Sequence, residues 1–337
     1  MNDTAAVAAL RIIPDAEYDR RKYLGGSNAA AIMGVGATYD GIQQTPYTCY
    51  QAKVGETPED MSPGRQLFLS RRKRWEGPIV EMLREEFAGN IIAVNRRYVD
   101  PEFDFLAAEI DFEWADENGE IQNGEIKTVS PFAFGEHHGW GEAGSGDIPV
   151  HYAAQVLHGL SVTGRQTCII AALAGLDTMI FYRIDRDEET IAWMRERMAI
   201  FWQEYVLPRH PPDPVNLSDV MAYSLRLRGK PVEIDDAIFE RLGQLRNLRE
   251  TAKIMDGDES QIKFEILDFI RRAWLLDPGV DVKDDAALLY RGVKVASYNR
   301  QSATRIDAER LRAEEPDIAA HFSKTSETRV LRLTKPK

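Results

Sequence analysis

The sequence has few cysteines and no run of apolar residues long enough to cross a membrane. Cys49 and Cys168 are the only two cysteines among 337 residues, too few for a disulfide framework or for a zinc or iron–sulfur ligand set. Apolar runs such as residues 168–174 are far shorter than a bilayer-spanning helix. Residues 1–10 contain Asp3 and no basic n-region, unlike a secretory signal. These absences predict a soluble, cytoplasmic protein of a reducing compartment that does not associate with membranes.

An excess of positive charge is also lacking. With 42 Lys and Arg against 54 Asp and Glu, the net charge is −12, which argues against a protein that coats nucleic acid along its whole surface. An enzyme that contacts DNA along one track remains compatible, and basic residues do cluster at 20–22, 65–74 and 96–97. Any one such cluster is most often a solvated helix face. Three of them beside acidic motifs favour a DNA track, whose candidate residues are Arg71, Arg72 and Arg74.

The composition is ordinary for a globular protein, with 44% hydrophobic and 28% charged residues and no internal repeat. Hydrophobic periodicity predicts helices and strands in an order typical of an α/β core with a mixed sheet. The predicted core elements are helices at 28–33, 46–54 and 63–87, strands at 91–99, 105–114 and 121–128, a helix at 149–163, strands at 166–173 and 178–185, and a helix from Asp187 to 206. Ser27, which follows two glycines, is the predicted N-cap of the first of these helices.

A proline-rich stretch at 210–214 cannot be helical and predicts a boundary. We therefore expect a core at residues 1–210 and an accessory α+β region at 211–337. In that region the apolar spacing predicts two amphipathic helices, at about 238–252 and 262–270, then a strand pair turning at Gly292 and a final strand at 328–333.

The strongest chemical signal is Asp111 near the end of one predicted strand, with Glu125 and Lys127 on the next. Side chains alternate along a strand, so Glu125 and Lys127 point to one face, and pairing of the two strands would bring Asp111 to it. Hard oxygen ligands suit Mg²⁺, for which Mn²⁺ can substitute. The lysine could orient or deprotonate an attacking water and stabilise developing charge on a phosphate.

An isolated pattern of this kind is weak, because a surface strand with an exposed Glu–Lys pair would show it as well. Two further features strengthen it. Glu76 lies in the basic helix upstream, and Tyr152 and Gln155 lie one turn apart on the helix downstream.

Several motifs, in this order, resemble those of the YqaJ-like, lambda-type exonuclease family of the PD-(D/E)XK nuclease superfamily. They are Gly25–Gly34, Trp75–Pro78, Asp111, Glu125 with Lys127, Tyr152 with Gln155, and Arg183–Glu189. Their order and spacing hold over roughly residues 18–206. The sequence departs from the family pattern at Asn28, Gly77 and Phe112, where Asp, Pro and Gly are usual.

The resemblance implies a restriction-endonuclease-like mixed-sheet core flanked by helices, and a role for each matching residue. Asp111, Glu125 and the backbone carbonyl of Ile126 would bind the metal, and Lys127 would be the catalytic lysine. Glu76 would act through water or at a second metal, and Gln155 would position the nucleophile or the DNA phosphate. Arg20, Ser27 and Tyr152 would bind DNA, the first two as a pocket for a 5′-phosphate. Arg21 or Lys22 could fill the place of Arg20.

The expected activity is Mg²⁺-dependent, 5′ to 3′ exonuclease digestion of linear double-stranded DNA in phage-type homologous recombination, in the cytoplasm of a bacterial host cell. The same resemblance implies a ring-shaped homo-oligomer, a trimer or tetramer, that acts on double-stranded DNA ends together with a single-strand annealing protein. Two alternatives remain at this point: a restriction or repair endonuclease of the same superfamily, and a catalytically inactive DNA-binding recombination protein.

Overall fold

The computed structural model describes residues 10–14, 17–39, 41–56, 63–87, 90–175, 178–224, 231–275, 286–299, 301–323 and 330–333. The chain divides into two compact units, residues 1–223 and 224–337. Within the described residues, no helix combines the length and apolarity that crossing a membrane requires.

The first unit is built around a mixed sheet of six strands. They are β1 (Arg11–Ile12), β4 (Ile91–Val99), β5 (Ala107–Ala115), β6 (Ile121–Val129), β7 (Thr167–Ala174) and β8 (Thr178–Asp185), while β2 (Thr38–Tyr39) and β3 (Ile42–Gln43) form a separate hairpin. The order across the sheet is β1-β4-β5-β6-β7-β8. The pair β6 and β7 is parallel and every other neighbouring pair is antiparallel. The predicted mixed α/β core is therefore confirmed.

Helices cover both faces of this sheet. They are α1 (Gly26–Ile32), α2 (Pro46–Val54), α3 (Pro63–Glu86), α4 (Val150–Thr163), α5 (Glu188–Phe201) and α6 (Leu217–Ser224), and a π-helical turn at Trp202–Val206 extends α5. On one face, side chains of α1, α4 and α5 pack with Ile110 of β5. On the other face, Ile79 and Leu83 of α3 pack against Phe112 and Leu173. The sheet thus carries one helical layer on each side, and α4 links its two parallel strands.

The start of α1 differs from the prediction that Ser27 is the N-cap. The helix begins at Gly26 with Gly25 as its N-cap, so Ser27 lies inside the first turn. The reason is Asn28, whose side-chain Oδ1 accepts a hydrogen bond from the backbone N of Gly25 over 3.0 Å. This reciprocal bond from the third helical position shifts the start of the helix towards the N-terminus.

The second unit contains α7 (Asp236–Leu275), a hairpin of β9 (Ala286–Tyr290) and β10 (Val293–Tyr298), α8 (Ala308–Glu314) and α9 (Pro316–His321). The predicted strand pair is confirmed. The prediction of two helices before it is wrong, because α7 is one continuous helix of 40 residues. Gly257 lies within it, at a cost of about 1 kcal/mol relative to Ala, which does not suffice to end a helix. Of the predicted final strand, residues 328 and 329 lie outside the described residues, and 330–333 form no strand.

Candidate active site

The candidate site lies where β5 and β6 stop pairing. Their register runs from Ala115 opposite Ile121 to Phe112 opposite Gly124 and ends there. Asp111 is the next residue of β5, and its Oδ2 accepts a hydrogen bond of 2.8 Å from the backbone N of Ile126. The Asp111 side chain thus takes the place of a backbone acceptor on the neighbouring strand. Because N–H and C=O of one strand residue point to the same edge, the Ile126 carbonyl also points into the gap between the strands.

Glu125, Lys127 and Gln155 form a triangle of hydrogen bonds beside this gap. Lys127 Nζ donates to Glu125 Oε1 over 2.5 Å and to Gln155 Oε1 over 2.9 Å. Gln155 Nε2 in turn donates to Glu125 Oε1 over 2.6 Å. The ammonium also lies 4.6 Å from the ring centroid of Tyr152, one turn before Gln155 on α4. Strand alternation and helical spacing therefore bring these four side chains together, as the sequence predicted.

The electrostatics of the triangle are those of a crowded acidic site with one cation. Burial raises the pKa of Asp111 well above its usual value, and the nearby Glu125 carboxylate adds to this, while Lys127 and the bond from Ile126 act in the opposite direction. Burial lowers the pKa of Lys127, but the carboxylates of Glu125 and Asp111 outweigh it and raise that pKa overall. Lys127 is thus a cation at neutral pH, suited to holding and stabilising negative charge.

A cleft of about 230 Å³ opens beside Lys127 and Gln155, while Glu125 lines the second cleft described below. The lining of the first cleft includes Asp111, Lys127, Tyr152 and Gln155, and also Glu76 of α3. Asn95 of β4 lines it as well. That residue has a φ of +52°, in the left-handed region that Gly adopts freely and that Asn and Asp tolerate better than most other residues. Nothing in the sequence indicated Asn95, because the strain arises from the irregular path of β4.

A second cleft, of about 340 Å³, contains Arg20 and Ser27 and shares Gln155 with the first. Arg21 of the same turn is bonded to Asp19, whereas no carboxylate of the described residues forms an ion pair with Arg20. The neighbouring Lys22 lines other surface depressions. Of the three basic residues in this turn, Arg20 is therefore the one whose charge is available in the cleft.

Lys53, which sequence reasoning missed, holds that turn in place. Its Nζ donates to the backbone carbonyls of Arg20 over 2.7 Å and of Tyr23 over 2.5 Å. Burial lowers its pKa, as expected for a lysine that satisfies backbone groups in the interior. No local pattern in the sequence indicates this role, because it depends on how α2 packs against the turn of Arg20.

Phe112 departs from the family motif, and Gly124 on the neighbouring strand accommodates its ring. The Phe112 ring is fully buried and lies over Gly124, where a β-carbon would come within 2.3 Å of a ring atom. The large side chain of one strand thus occupies the space left by the glycine opposite. The strand path that carries Asp111 is kept in this way.

The basic clusters contribute unequally. On α3, Arg71 and Arg74 are exposed, while the Arg72 side chain lies outside the described residues. On β4, Arg97 forms a 2.6 Å ion pair with Glu109, and Arg96 lies 3.6 Å from the buried Glu113. Of these two basic clusters, the one on α3 therefore presents the more exposed positive charge.

The oxygen ligands at this site can be compared with those that a divalent cation requires. No group of three or more His, Cys, Asp or Glu side chains suited to a metal ion exists within the described residues. Mg²⁺ does not need one, because it binds one or two carboxylates and fills its other positions with water and substrate oxygens. The pair of Asp111 and Glu125, with a strongly raised pKa at Asp111 and the Ile126 carbonyl directed into the gap between the strands, fits this requirement.

Taken together, the diverging strands, the two carboxylates and the lysine define a polar centre on a mixed α/β sheet. Residues 17–166 match the family model of the YqaJ-like viral recombinase domain. The match covers 150 of the 337 residues and confirms the resemblance drawn from the motifs.

Individual proteins that resemble this chain share little of its sequence. The chain is 25% identical over 328 residues to the uncharacterized protein YqaJ of Bacillus subtilis (strain 168), covering 92% of this chain and 91% of that protein. Among solved structures, the alkaline exonuclease LHK-Exo of Laribacter hongkongensis is 17% identical, with a TM-score of 0.40 over 55% of this chain and 88% of that one. The structure of SSO0001 is also 17% identical, with a TM-score of 0.27 over 46% of this chain and 65% of that one.

Proposed function

We propose that this protein is a Mg²⁺-dependent exonuclease that digests linear double-stranded DNA from the 5′ end. The observation that carries the proposal is the contact of Lys127 with both Glu125 and Gln155, beside Asp111 in the gap between β5 and β6. The match of residues 17–166 to the viral recombinase family model supports a nuclease role.

Asp111, Glu125 and the Ile126 carbonyl would hold the cation. When bound, Mg²⁺ or Mn²⁺ would neutralise charge on the scissile phosphate and make water a better nucleophile. Glu76, which lines the first cleft, would contribute through water or at a second cation.

Lys127 would stabilise the negative charge that develops on the phosphate. A lysine with a raised pKa stays protonated, so this role fits it better than deprotonation of the attacking water. Gln155, bonded to both Glu125 and Lys127, would keep these two groups in place and face the DNA phosphate.

Arg20 and Ser27 would bind the 5′-phosphate of the strand being digested. Their cleft meets the catalytic cleft at Gln155, so an end held there has its first internal phosphates near Lys127. Arg71, Arg72 and Arg74 on α3 would guide the duplex.

The assembly we propose for the core is a ring-shaped homo-oligomer, a trimer or tetramer, that works with a single-strand annealing protein in the bacterial cytoplasm. A ring would keep DNA bound by topology, which offsets the net charge of −12.

The test is digestion of a linear duplex labelled at either end and carrying either a 5′-phosphate or a 5′-hydroxyl, beside closed circular DNA, with and without Mg²⁺. Stepwise loss of label from the 5′-phosphorylated end, intact circles and an inactive Lys127→Ala variant are the expected results. Cleaved circles would instead indicate an endonuclease. Binding of DNA without any metal-dependent cleavage would rule out the enzyme.

A further inference from the structure

Helix α7 (Asp236–Leu275) is exposed on all sides over much of its length. In the described part of the chain, all 21 residues from 247 to 267 are exposed. Large apolar side chains are among them: Leu248, Ile254, Met255, Ile262, Phe264, Ile266 and Leu267. A lone helix is marginally stable in water, and its apolar side chains gain free energy when they are buried. Binding of a partner that buries these apolar side chains would therefore stabilise the middle of α7.

A seven-residue repeat of apolar residues runs along one side of α7, while other apolar residues such as Ile254 and Phe264 lie outside it. Alternating steps of three and four residues select nine positions, here called the seam: Leu245, Leu248, Ala252, Met255, Glu259, Ile262, Ile266, Phe269 and Ala273. Eight of these nine are apolar over four heptads. A repeat of 3.5 residues keeps one stripe facing a second helix along its whole length, which is the pattern of a coiled coil.

Glu259 is the one charged residue of the seam. Its Oε1 accepts an ion-pair contact of 2.5 Å from Lys263, one turn further along the same helix. This pair draws the carboxylate towards the flank of the seam, where water reaches it.

Charge is distributed along α7 in two blocks of opposite sign. Residues 241–253 contain four basic residues and one acidic residue, and residues 256–268 contain five acidic residues and one basic residue. A parallel, in-register pair of such helices would set like blocks side by side. An antiparallel pair sets the basic block of each helix against the acidic block of the other, which selects orientation.

We propose that α7 forms an antiparallel coiled coil with α7 of a second copy of this chain, through the seam. The arrangement is a twofold, self-complementary interface, in which each helix contributes the same surface. It does not depend on the nuclease proposal, because no residue of the candidate active site takes part.

The molar mass of the full-length protein in solution tests the pairing. A seam variant, Leu248→Lys with Ile262→Lys, is compared with a flank variant, Ile254→Lys with Phe264→Lys. The four side chains are similarly exposed, at 68% and 56% on the seam and 64% and 63% off it, so both variants add equal charge at equal exposure. Light scattering is expected to show half the wild-type mass for the seam variant and the unchanged mass for the flank variant. Wild-type mass in the seam variant, or an equal fall in both, would overturn the proposal.

Cross-linking tests the orientation. Asn247→Cys and Gln261→Cys chains, with different tags, are co-expressed and treated with a short bismaleimide. The native Cys49 and Cys168 are buried, so background is low. We expect links between positions 247 and 261 of different chains, and none between two positions 247, which lie roughly 20 Å apart in the antiparallel pair. Links between identical positions would overturn the antiparallel arrangement. Nuclease activity is not a readout here, so a negative result leaves the proposed function untouched.

Discussion

Gly26, in the first turn of α1, lies directly against Gln155 of α4. A β-carbon at position 26 would be 2.5 Å from Gln155 Cγ and 3.1 Å from its backbone oxygen. The position of the glutamine that bonds Glu125 and Lys127 thus depends on the absence of a side chain on a different helix. Gly26 is in ordinary helical conformation, so backbone freedom does not explain the glycine at this position. The close approach of Gln155 does.

Gly26→Ala is therefore expected to displace Gln155 and lower the rate of DNA digestion by about 10- to 100-fold, the effect of a shift near 1 Å in a positioned group. The measurement is the initial rate on a linear duplex. Gly25→Ala is the matched control, because a β-carbon there meets nothing closer than 3.6 Å and the φ of −109° suits any residue. Equal loss in both variants would contradict the explanation.

Lys127→Met is expected to reduce the rate of cleavage by about 100- to 1,000-fold, because one preorganised positive charge beside the phosphate is lost. DNA binding, measured by mobility shift with Ca²⁺ in place of Mg²⁺, should change little. Lys127→Arg keeps the charge and should recover part of the rate. Full activity of Lys127→Met would show that the lysine is not part of the catalytic centre.

Asp111→Asn should make the metal-free protein more stable. A raised pKa means that the ionised carboxylate is disfavoured in the fold, so a neutral group of the same shape removes that penalty. Thermal unfolding in EDTA should therefore shift upwards by about 2–4 °C per kcal/mol. Mg²⁺ should raise the melting temperature of the wild type and leave that of Asp111→Asn unchanged. A wild-type response to Mg²⁺ in the variant would place the cation elsewhere.

Arg20→Ala is expected to slow digestion of 5′-phosphorylated ends by about 10-fold or more, since a charge-assisted bond to the phosphate is lost. Ends with a 5′-hydroxyl should be digested at nearly the wild-type rate. Lys22→Ala, in the same turn but lining other depressions, serves as control. If the rate on both kinds of end fell equally, Arg20 would act on the duplex and not on its terminal phosphate.

Gly124→Ala is expected to lower the free energy of unfolding by about 1–3 kcal/mol, because the new methyl group overlaps the buried Phe112 ring. The measurement is urea unfolding monitored by fluorescence. Adding Phe112→Leu to Gly124→Ala should recover part of the loss, since the smaller side chain makes room. Additive destabilisation in the double variant would argue against the packing relationship.

Local patterns in the sequence predicted much of the core. The bounds of β4 and β8 are those expected from the sequence alone, because both segments are rich in β-branched and aromatic residues. The start of α1 was not predictable in the same way. Ser27 and Asn28 are both good capping residues, and only the fold places the Asn28 side chain on the Gly25 backbone. The continuity of α7 was missed because the polar residues near Gly257 resemble a turn.

The sequence alone determined that Glu125 and Lys127 share a face, that Tyr152 and Gln155 share another, and that both sets resemble motifs of YqaJ-like domains. These relationships act within one element, where backbone geometry sets the direction of each side chain. Tertiary structure decided that Gln155 reaches Glu125, that Asp111 bonds the Ile126 backbone, and that Arg20 and not Arg21 is available in the adjoining cleft. Such distances depend on how closely elements pack. Here they depend on Gly26 beneath Gln155, Gly124 beneath Phe112 and Lys53 behind the turn of Arg20, none of which has a local pattern to reveal it.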